Sequence, residues 1–339
     1  MNSPPVIAKM RYSAVLLYAA PTIRLTMRKA RLLYNPRSGR RHDRRLEDLQ
    51  SVLRVLENAG VEASTAATLA PGPATAQVQQ AISEGCDTVF ACGGDGTVHD
   101  VLQGLVGTSA ALAIIPQGTA NVFTHDLRLP SSPTAAAKAA LKAKPLRIAV
   151  GRIEYQDFQG QPASRYFTIT VGIGADAYLF HKLDPNAKHA LGLSAYYVKA
   201  THVLLTHKMQ FFQVSYEEGG QRRSTESTQL LAVRIANFGD GLRKLAPGAS
   251  LLRDDLRLVL CKTRNRGAFL RYVLRGFLGG NWRVRGVDLA YSEEAACTQS
   301  DPAQPKIFVE ADGELLGTLP ARISIVRDAL TVLVPESFR

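Results

Sequence analysis

Between Arg31 and about Pro145, short apolar runs alternate with stretches of helical period. "RLLYN" leads into a helix predicted over about Arg44 to Asn58, "VEAS" into one over about Ala74 to Ser83, and "TVFAC" into one after Gly96. "ALAIIP" and helical stretches toward Lys142 follow. Strands separated by helices of this length pair in parallel, so the pattern predicts a doubly wound α/β sheet. After Leu146 the pattern changes. "RIAVGRIEY", "RYFTITVGIG", "QFFQVSYEE", "QLLAVRIAN", "LRLVLCK", "KIFVEAD" and "ARISIVRD" are β-rich and bounded by turn residues. They predict an antiparallel sandwich or distorted barrel, interrupted by one helical insertion at about Asn186 to Thr206. The tail "ALTVLVPESF" is a last strand that either half could hold. The expected division is an extension over residues 1–27 outside the folded unit, an α/β domain over 28–145 and a β-rich domain over 146–339.

Composition narrows the class without changing this outline. A chain of 339 residues, 46% of them hydrophobic, can build two ordinary cores. The apolar run Ala14 to Ala20 ends at Pro21, well short of the roughly 20 residues a membrane-spanning helix needs. It makes a poor secretory signal as well, because no convincing cleavage site follows. Four scattered cysteines without a CxxC pair suggest reduced thiols in a cytosol, and the histidines form no HExxH, so no structural zinc is expected. The net charge of +12 concentrates at Arg40, Arg41, Arg44 and Arg45 and again from Arg264 to Arg285, where Phe269, Tyr272, Phe277 and Trp282 are interleaved. Such a stretch is either a solvated basic surface or a face for an anionic partner. Acidic lipids suit it better than nucleic acid, since no helix-turn-helix, RNA-recognition or zinc-finger pattern is present.

The chemistry concentrates in three turns. In "VFACGGDGTVHDVLQGL" a strand ends in a glycine-rich turn that opens a helix. Such a turn leaves backbone N–H groups at a helix N-terminus, where phosphate is held, and its glycines let the backbone approach phosphate oxygens. Asp95 would be repelled by polyphosphate unless a divalent cation lies between them, which points to Mg²⁺ carried with a nucleotide. The plainer reading is a tight turn in which Asp95 caps a helix beginning at Thr97. "YNPRSGR" (Tyr34 to Arg40) and "IIPQGTANVF" (Ile114 to Phe123) repeat the strand-turn-helix format, and ligands of open α/β sheets sit at the carboxyl ends of the strands. All three turns are therefore expected to converge on one site. Neither a Walker pattern nor a protein-kinase glycine loop is present.

"NPRSG", "GGDGT", "PQGTAN", "VGIGADA" and "EADGE", in that order over about residues 28 to 336, resemble the diacylglycerol kinase catalytic-domain family. The likeness is to its soluble bacterial lipid kinases, which are related to sphingosine and ceramide kinases. It implies an ATP-binding α/β domain and a β-rich lipid-substrate domain, with nucleotide and acceptor meeting in the cleft. It assigns ATP contacts to Asn35, Pro36, Arg37, Ser38, Gly39, Thr68, Gly94, Asp95, Gly96, Thr97, Val98, His99 and Thr119, and the catalytic base to Glu314. Two departures stand out. His99 and Asp100 replace the family's usual Asn-Glu pair. The segment "P-x-A-x-x-x-D-G", whose Asp and flanking carbonyls hold a structural Mg²⁺ in the family, reads "PGASLLRDDLRL" here. Arg253 stands at the Asp position, and only a one-residue shift brings in Asp254.

Read without the family, "KIFVEADGELLGTLP" is a β-hairpin turning at Asp312-Gly313, with Glu310, Asp312 and Glu314 as solvated carboxylates. With it, Glu314 accepts the proton of an attacking lipid hydroxyl, and Asp95 stands beside Mg²⁺ and ATP. The protein expected is a cytoplasmic lipid kinase resting peripherally on an anionic membrane, of unspecified acceptor and oligomeric state. Two alternatives use the same turns: a kinase of a soluble nucleotide resembling NAD kinases, and a non-catalytic module that binds nucleotide or membrane.

Overall fold

The computed structural model describes residues 27–36, 44–69, 74–175, 177–178, 209–239, 245–280, 282–301 and 303–338. Among the described residues fifteen strands join one continuous sheet. Its first part alternates β1 (Lys29–Tyr34), α1 (Arg45–Glu57), β2 (Glu62–Ala67), α2 (Thr75–Ser83), β3 (Thr88–Gly93), α3 (Asp95–Leu105) and β4 (Ala111–Pro116), followed by α4 (Val122–Asp126) and α5 (Pro133–Leu141). The strands lie parallel in the order β2-β1-β3-β4. β3 and β4 are buried at every position, as strands covered on both faces must be. Neighbouring side chains of β1 serve opposite faces. Leu32 joins Leu49, Val52 and Leu56 of α1, while Leu33 joins Val78 of α2 and Val101, Leu102 and Leu105 of α3.

Among the described residues the second part is built from β5 (Lys144–Gln156), β6 (Pro162–Phe167), β7 (Thr170–Gly174), β8 (Phe212–Glu218), β9 (Gln221–Ser227), β10 (Gln229–Val233), β11 (Leu256–Cys261), β12 (Val287–Ser292), β13 (Glu294–Thr298), β14 (Phe308–Ala311) and β15 (Glu314–Val334), together with helix α6 (Arg266–Leu278). Pairing within it is antiparallel. A separate apolar core fills its interior, with Ile153, Phe167, Phe212, Val214 and Ile323 on one side and Ile173, Leu230, Leu258 and Val309 on the other. The expected combination of a parallel α/β layer with a sandwich-like β-rich half is what the chain adopts.

The connections differ from expectation in informative ways. "ARISIVRD" and the tail form a single 21-residue strand, β15. Its pairing with β5 shifts register between Val326 and Leu330, where Asp328 takes a φ of 48°, so the polar pair Arg327-Asp328 marks a bulge and not a turn. Beyond the bulge, Thr331 and Val332 run parallel to Ala111 and Leu112 of β4, so one strand carries the β-rich half into the α/β layer. "RYFTITVGIG" divides into β6 and β7 around Thr168 and Ile169, whose N–H groups leave the ladder for the carboxylate of Asp312. Helix α6 arises in the basic stretch. Asn265 caps it by accepting from Gly267 N and Ala268 N, and Gly279 ends it at φ 64°. The expected extension over 1–27 and insertion over Asn186 to Thr206 fall almost wholly or wholly outside the described residues. No described helix is long and apolar enough to cross a membrane, and the four cysteines are buried and free.

Candidate active site

The strand order places the site. From β1 the chain moves to β2 on one side, then crosses over β1 to β3 on the other, and in such sheets ligands sit at the carboxyl ends where the direction reverses. Register aligns those ends: Tyr34 pairs with both Ala67 and Cys92, and Gly93 with Pro116. The chain therefore leaves the sheet at Asn35, Thr68, Gly94 and Gln117 along one edge. Thr68 N donates to Tyr34 O (2.8 Å) and Gln117 N to Gly93 O (2.9 Å), extending each ladder into its turn. Asn35 is half-buried and Pro36 exposed; Arg37, Ser38 and Gly39 lie outside the described residues.

The second and third turns pack backbone against backbone. A Cβ on Gly118 would stand 2.4 Å from Gly94 Cα, so space, and not an unusual φ, demands glycine there. Asn121 (φ 46°) closes its own turn, its Oδ1 accepting from Gly118 N (3.0 Å) and its Nδ2 donating to Gly118 O (2.9 Å). Asp95 joins the two turns: Oδ2 accepts from Val122 N (3.0 Å) and Oδ1 from Phe123 N (3.1 Å). This corrects the expected cap. Helix α3 begins at Asp95, two residues before Thr97, and the carboxylate caps the neighbouring helix α4. Burial pushes the Asp95 carboxyl up, and the two amides oppose that. Gly118→Ala is expected to force the turns apart at a cost of about 1–3 kcal/mol in stability, as read by urea unfolding.

From the opposite side comes the β14-β15 hairpin, which turns at Asp312 (φ 50°) and Gly313 (φ 83°) as expected. Its carboxylates are not equivalent, however. Glu310 is fully buried and its Oε2 accepts from Gly313 N (2.9 Å). Asp312 is buried as well. It accepts from Ile169 N (2.9 Å) and Thr170 N (3.0 Å) on Oδ1 and from Thr168 N (3.0 Å) on Oδ2, which also faces His99 Nδ1 at 3.4 Å. Only Glu314 is exposed, and its Oε1 lies 3.0 Å from where a Cβ on Gly96 would stand. A carboxylate from the β-rich half thus rests on the glycine turn of the α/β half.

Around this contact the side chains of Thr97, Val98 and His99 are buried. Val98 joins the apolar core of the α/β half, and His99 ties α3 to the hairpin through Asp312. Asp100, one helical turn beyond Gly96, is half-buried and its carboxyl is pushed up to about 6, chiefly by burial with the charge of Glu314 adding and those of His99 and Arg165 opposing. Thr119 is exposed on its turn. One participant had no signal in the sequence. Asp126, at the end of α4, accepts from Ala236 N (3.1 Å) and Asn237 N (2.8 Å), which clamps the chain after β10 to the third turn.

Asp254, the shifted candidate for a structural metal, is exposed. Arg253, at the acid position, holds Asp255 in a bidentate pair (2.7 and 2.5 Å) and stacks 4.1 Å from the Tyr291 ring. Among the described residues no group of three or more His, Cys, Asp or Glu side chains could hold a metal ion.

Glycine turns at the switch point of a parallel layer, with a carboxylate entering from a β-rich half, are the geometry against which the comparisons are set. Residues 29–153 match the diacylglycerol kinase catalytic domain, and residues 169–334 match the YegS C-terminal NAD kinase beta sandwich-like domain. The chain belongs to the diacylglycerol kinase catalytic-domain family, a family of kinases. It is 29% identical over 315 residues to a diacylglycerol kinase of Bacillus subtilis (strain 168), covering 91% of this chain and 97% of the relative. A diacylglycerol kinase of Staphylococcus saprophyticus is 26% identical, over 92% of this chain and 97% of its own. The crystal structure of a diacylglycerol kinase from Bacillus anthracis str. Sterne shares the fold at a TM-score of 0.69 and 22% identity, over 92% of this chain and 99% of the other.

Proposed function

We propose that the chain transfers the γ-phosphoryl group of ATP, with Mg²⁺, to the hydroxyl of a lipid such as diacylglycerol. The observation that carries this reading is the placement of Glu314 over Gly96, which puts one ionisable group of the β-rich half at the mouth of the glycine turn. Turns whose backbones touch where any Cβ would collide leave a bare peptide surface of the kind that phosphate oxygens approach. Asp95 lies beside that surface, each of its oxygens accepting one backbone amide and keeping a lone pair, and Glu314 reaches the same turn; few carboxylates suit a Mg²⁺ that keeps several waters and is otherwise held by substrate phosphates. When bound, MgATP supplies the phosphoryl group and neutralises its developing charge.

The chain's own residues do the positioning. Asn35, Thr68, Gly94, Gly96 and Thr119 line the edge that would receive the nucleotide, and Asp95 holds two turns in fixed register. Glu314 takes the proton from the acceptor hydroxyl; Asp100, its carboxyl pushed up to about 6 chiefly by burial, is neutral below that pH and then adds no negative charge beside it. The acceptor is tested by offering γ-labelled ATP and Mg²⁺ with mixed micelles of diacylglycerol, a ceramide or a sphingoid base, and with NAD in solution. Label in diacylglycerol is the expected result; label in NAD alone would replace this reading with a soluble-nucleotide kinase.

The basic stretch supports peripheral work at the cytoplasmic face of an anionic membrane. Helix α6 buries Tyr272 and Arg275 while leaving Leu270, Leu274, Phe277 and Leu278 exposed at helical spacing, with Trp282 beyond its end. Arg264, Arg266, Arg271, Arg283 and Arg285 are exposed around them. Each apolar side chain fully buried in lipid is worth about 1.5–3 kcal/mol and each arginine near an anionic surface about 1 kcal/mol. Leu274→Asp combined with Leu278→Asp should therefore lower binding to phosphatidylglycerol vesicles by at least about tenfold without changing nucleotide affinity, as read by vesicle sedimentation.

A further inference from the structure

Arg234, just beyond β10, is fully buried, and its guanidinium is met by four backbone carbonyls. Nη1 donates to Arg253 O (2.6 Å) and Asp255 O (2.7 Å), and Nη2 to Ala149 O (2.8 Å) and Leu251 O (3.3 Å). Three of these oxygens come from alternate residues of the loop before β11, and the fourth from β5. The same loop aligns with the family segment that the sequence likeness associates with a structural Mg²⁺. The donor set here does not fit that ion. The carbonyls converge on a cation that the chain already carries. The acid position is Arg253, the carboxylate of Asp255 is taken by that arginine, and Asp254 faces solvent. Mg²⁺ asks for near-octahedral oxygen ligands including carboxylate, and a second cation in this nest would be repelled.

We propose that Arg234 is a built-in cation that organises the 251–255 loop, so that this chain folds and holds its second layer without a structural divalent metal. The guanidinium suits the task, since its fixed fork reaches several carbonyls at once and it stays charged: burial lowers its pKa only to about 10, with Asp254 and Asp255 opposing the fall. The nest also bears on the crevice. Arg234 N donates to Ile169 O (2.9 Å), one residue from the Thr168 and Thr170 amides held with it by Asp312, and Ala236 and Asn237 are held by Asp126. The cation therefore anchors one end of a segment whose other end is clamped to the third turn.

The experiment is thermal unfolding of the full chain without nucleotide or lipid, in EDTA and in millimolar Mg²⁺, beside Arg234→Lys and Arg234→Met. The unaltered chain should melt within about 1 °C in the two conditions, whereas a metal bound to the native state would raise Tm in Mg²⁺ by several degrees. Arg234→Lys, which keeps the charge but loses the fork, should melt several degrees lower in both, and Arg234→Met lower still. If Arg234→Met yields no folded protein, the chelation arm and Arg234→Lys decide. A fall in the unaltered chain's Tm on chelation that Mg²⁺ reverses, or an Arg234→Lys chain that melts like the unaltered one, would overturn the proposal. Because neither substrate is present, its outcome is independent of the lipid-kinase reading.

Discussion

Glu314→Gln should lower phosphoryl transfer by about 10²–10⁴-fold, the range that a positioned general base contributes. The same variant should bind nucleotide normally and unfold at the same temperature. The separation follows from where the residue sits. Glu314 is exposed at the start of β15, so an isosteric amide there disturbs no core, and surface changes of this kind cost within about 0.5 kcal/mol. It keeps the shape that rests on Gly96 and loses the negative charge and with it the capacity to accept a proton. Single-turnover transfer, nucleotide titration and thermal unfolding on one preparation distinguish a lost base from a damaged fold.

Asp312→Ala, two residues earlier, should behave oppositely and cost at least about 3 kcal/mol of stability. The Asp312 side chain accepts three backbone N–H groups at the β6-β7 break, and each donor left buried and unpaired costs about 1–3 kcal/mol. Alanine must also hold a φ of 50°, where it lacks the local tolerance of Asp. His99, buried against the same carboxylate, loses its facing group. Urea unfolding reads the loss. Transfer should fall too, because the hairpin that carries Glu314 is set by this turn. Asp312→Asn should fall between, since its carbonyl oxygen still accepts while its NH₂ group faces donors.

What the sequence made legible, and what it hid, has a consistent physical basis. The parallel layer could be read because its strands and helices differ in period and each turn carries its own glycine or Asn. The switch-point rule led to an expected convergence of three turns; the second and third meet at Gly94 and Gly118, while most of the first lies outside the described residues. Long-range side-chain to backbone bonds had no local signature. Asp95 reaches Val122 and Phe123, Asp126 reaches Ala236 and Asn237, and Asp312 divides an apparently single strand in two. Edge strands such as β9, "QRRSTES", were hidden because most of their residues are exposed and no alternation marks them. Helix α6 was masked by its arginines and by Gly267 and Gly276, although Asn265 and Gly279 are ordinary caps once seen together. The long β15 was obscured by a bulge whose polar pair imitates a turn.

The central claim, that a carboxylate of the β-rich half takes the proton of a lipid hydroxyl attacking a phosphoryl group held by the glycine turns, is tested most directly by one measurement. Transfer of label from γ-labelled ATP to diacylglycerol in anionic mixed micelles is followed with Mg²⁺ for the unaltered chain and for Glu314→Gln. The account predicts labelled lipid from the first and a rate lower by about 10²–10⁴-fold from the second. Equal labelling by both chains, or no labelled lipid from the unaltered chain despite nucleotide binding, would contradict it.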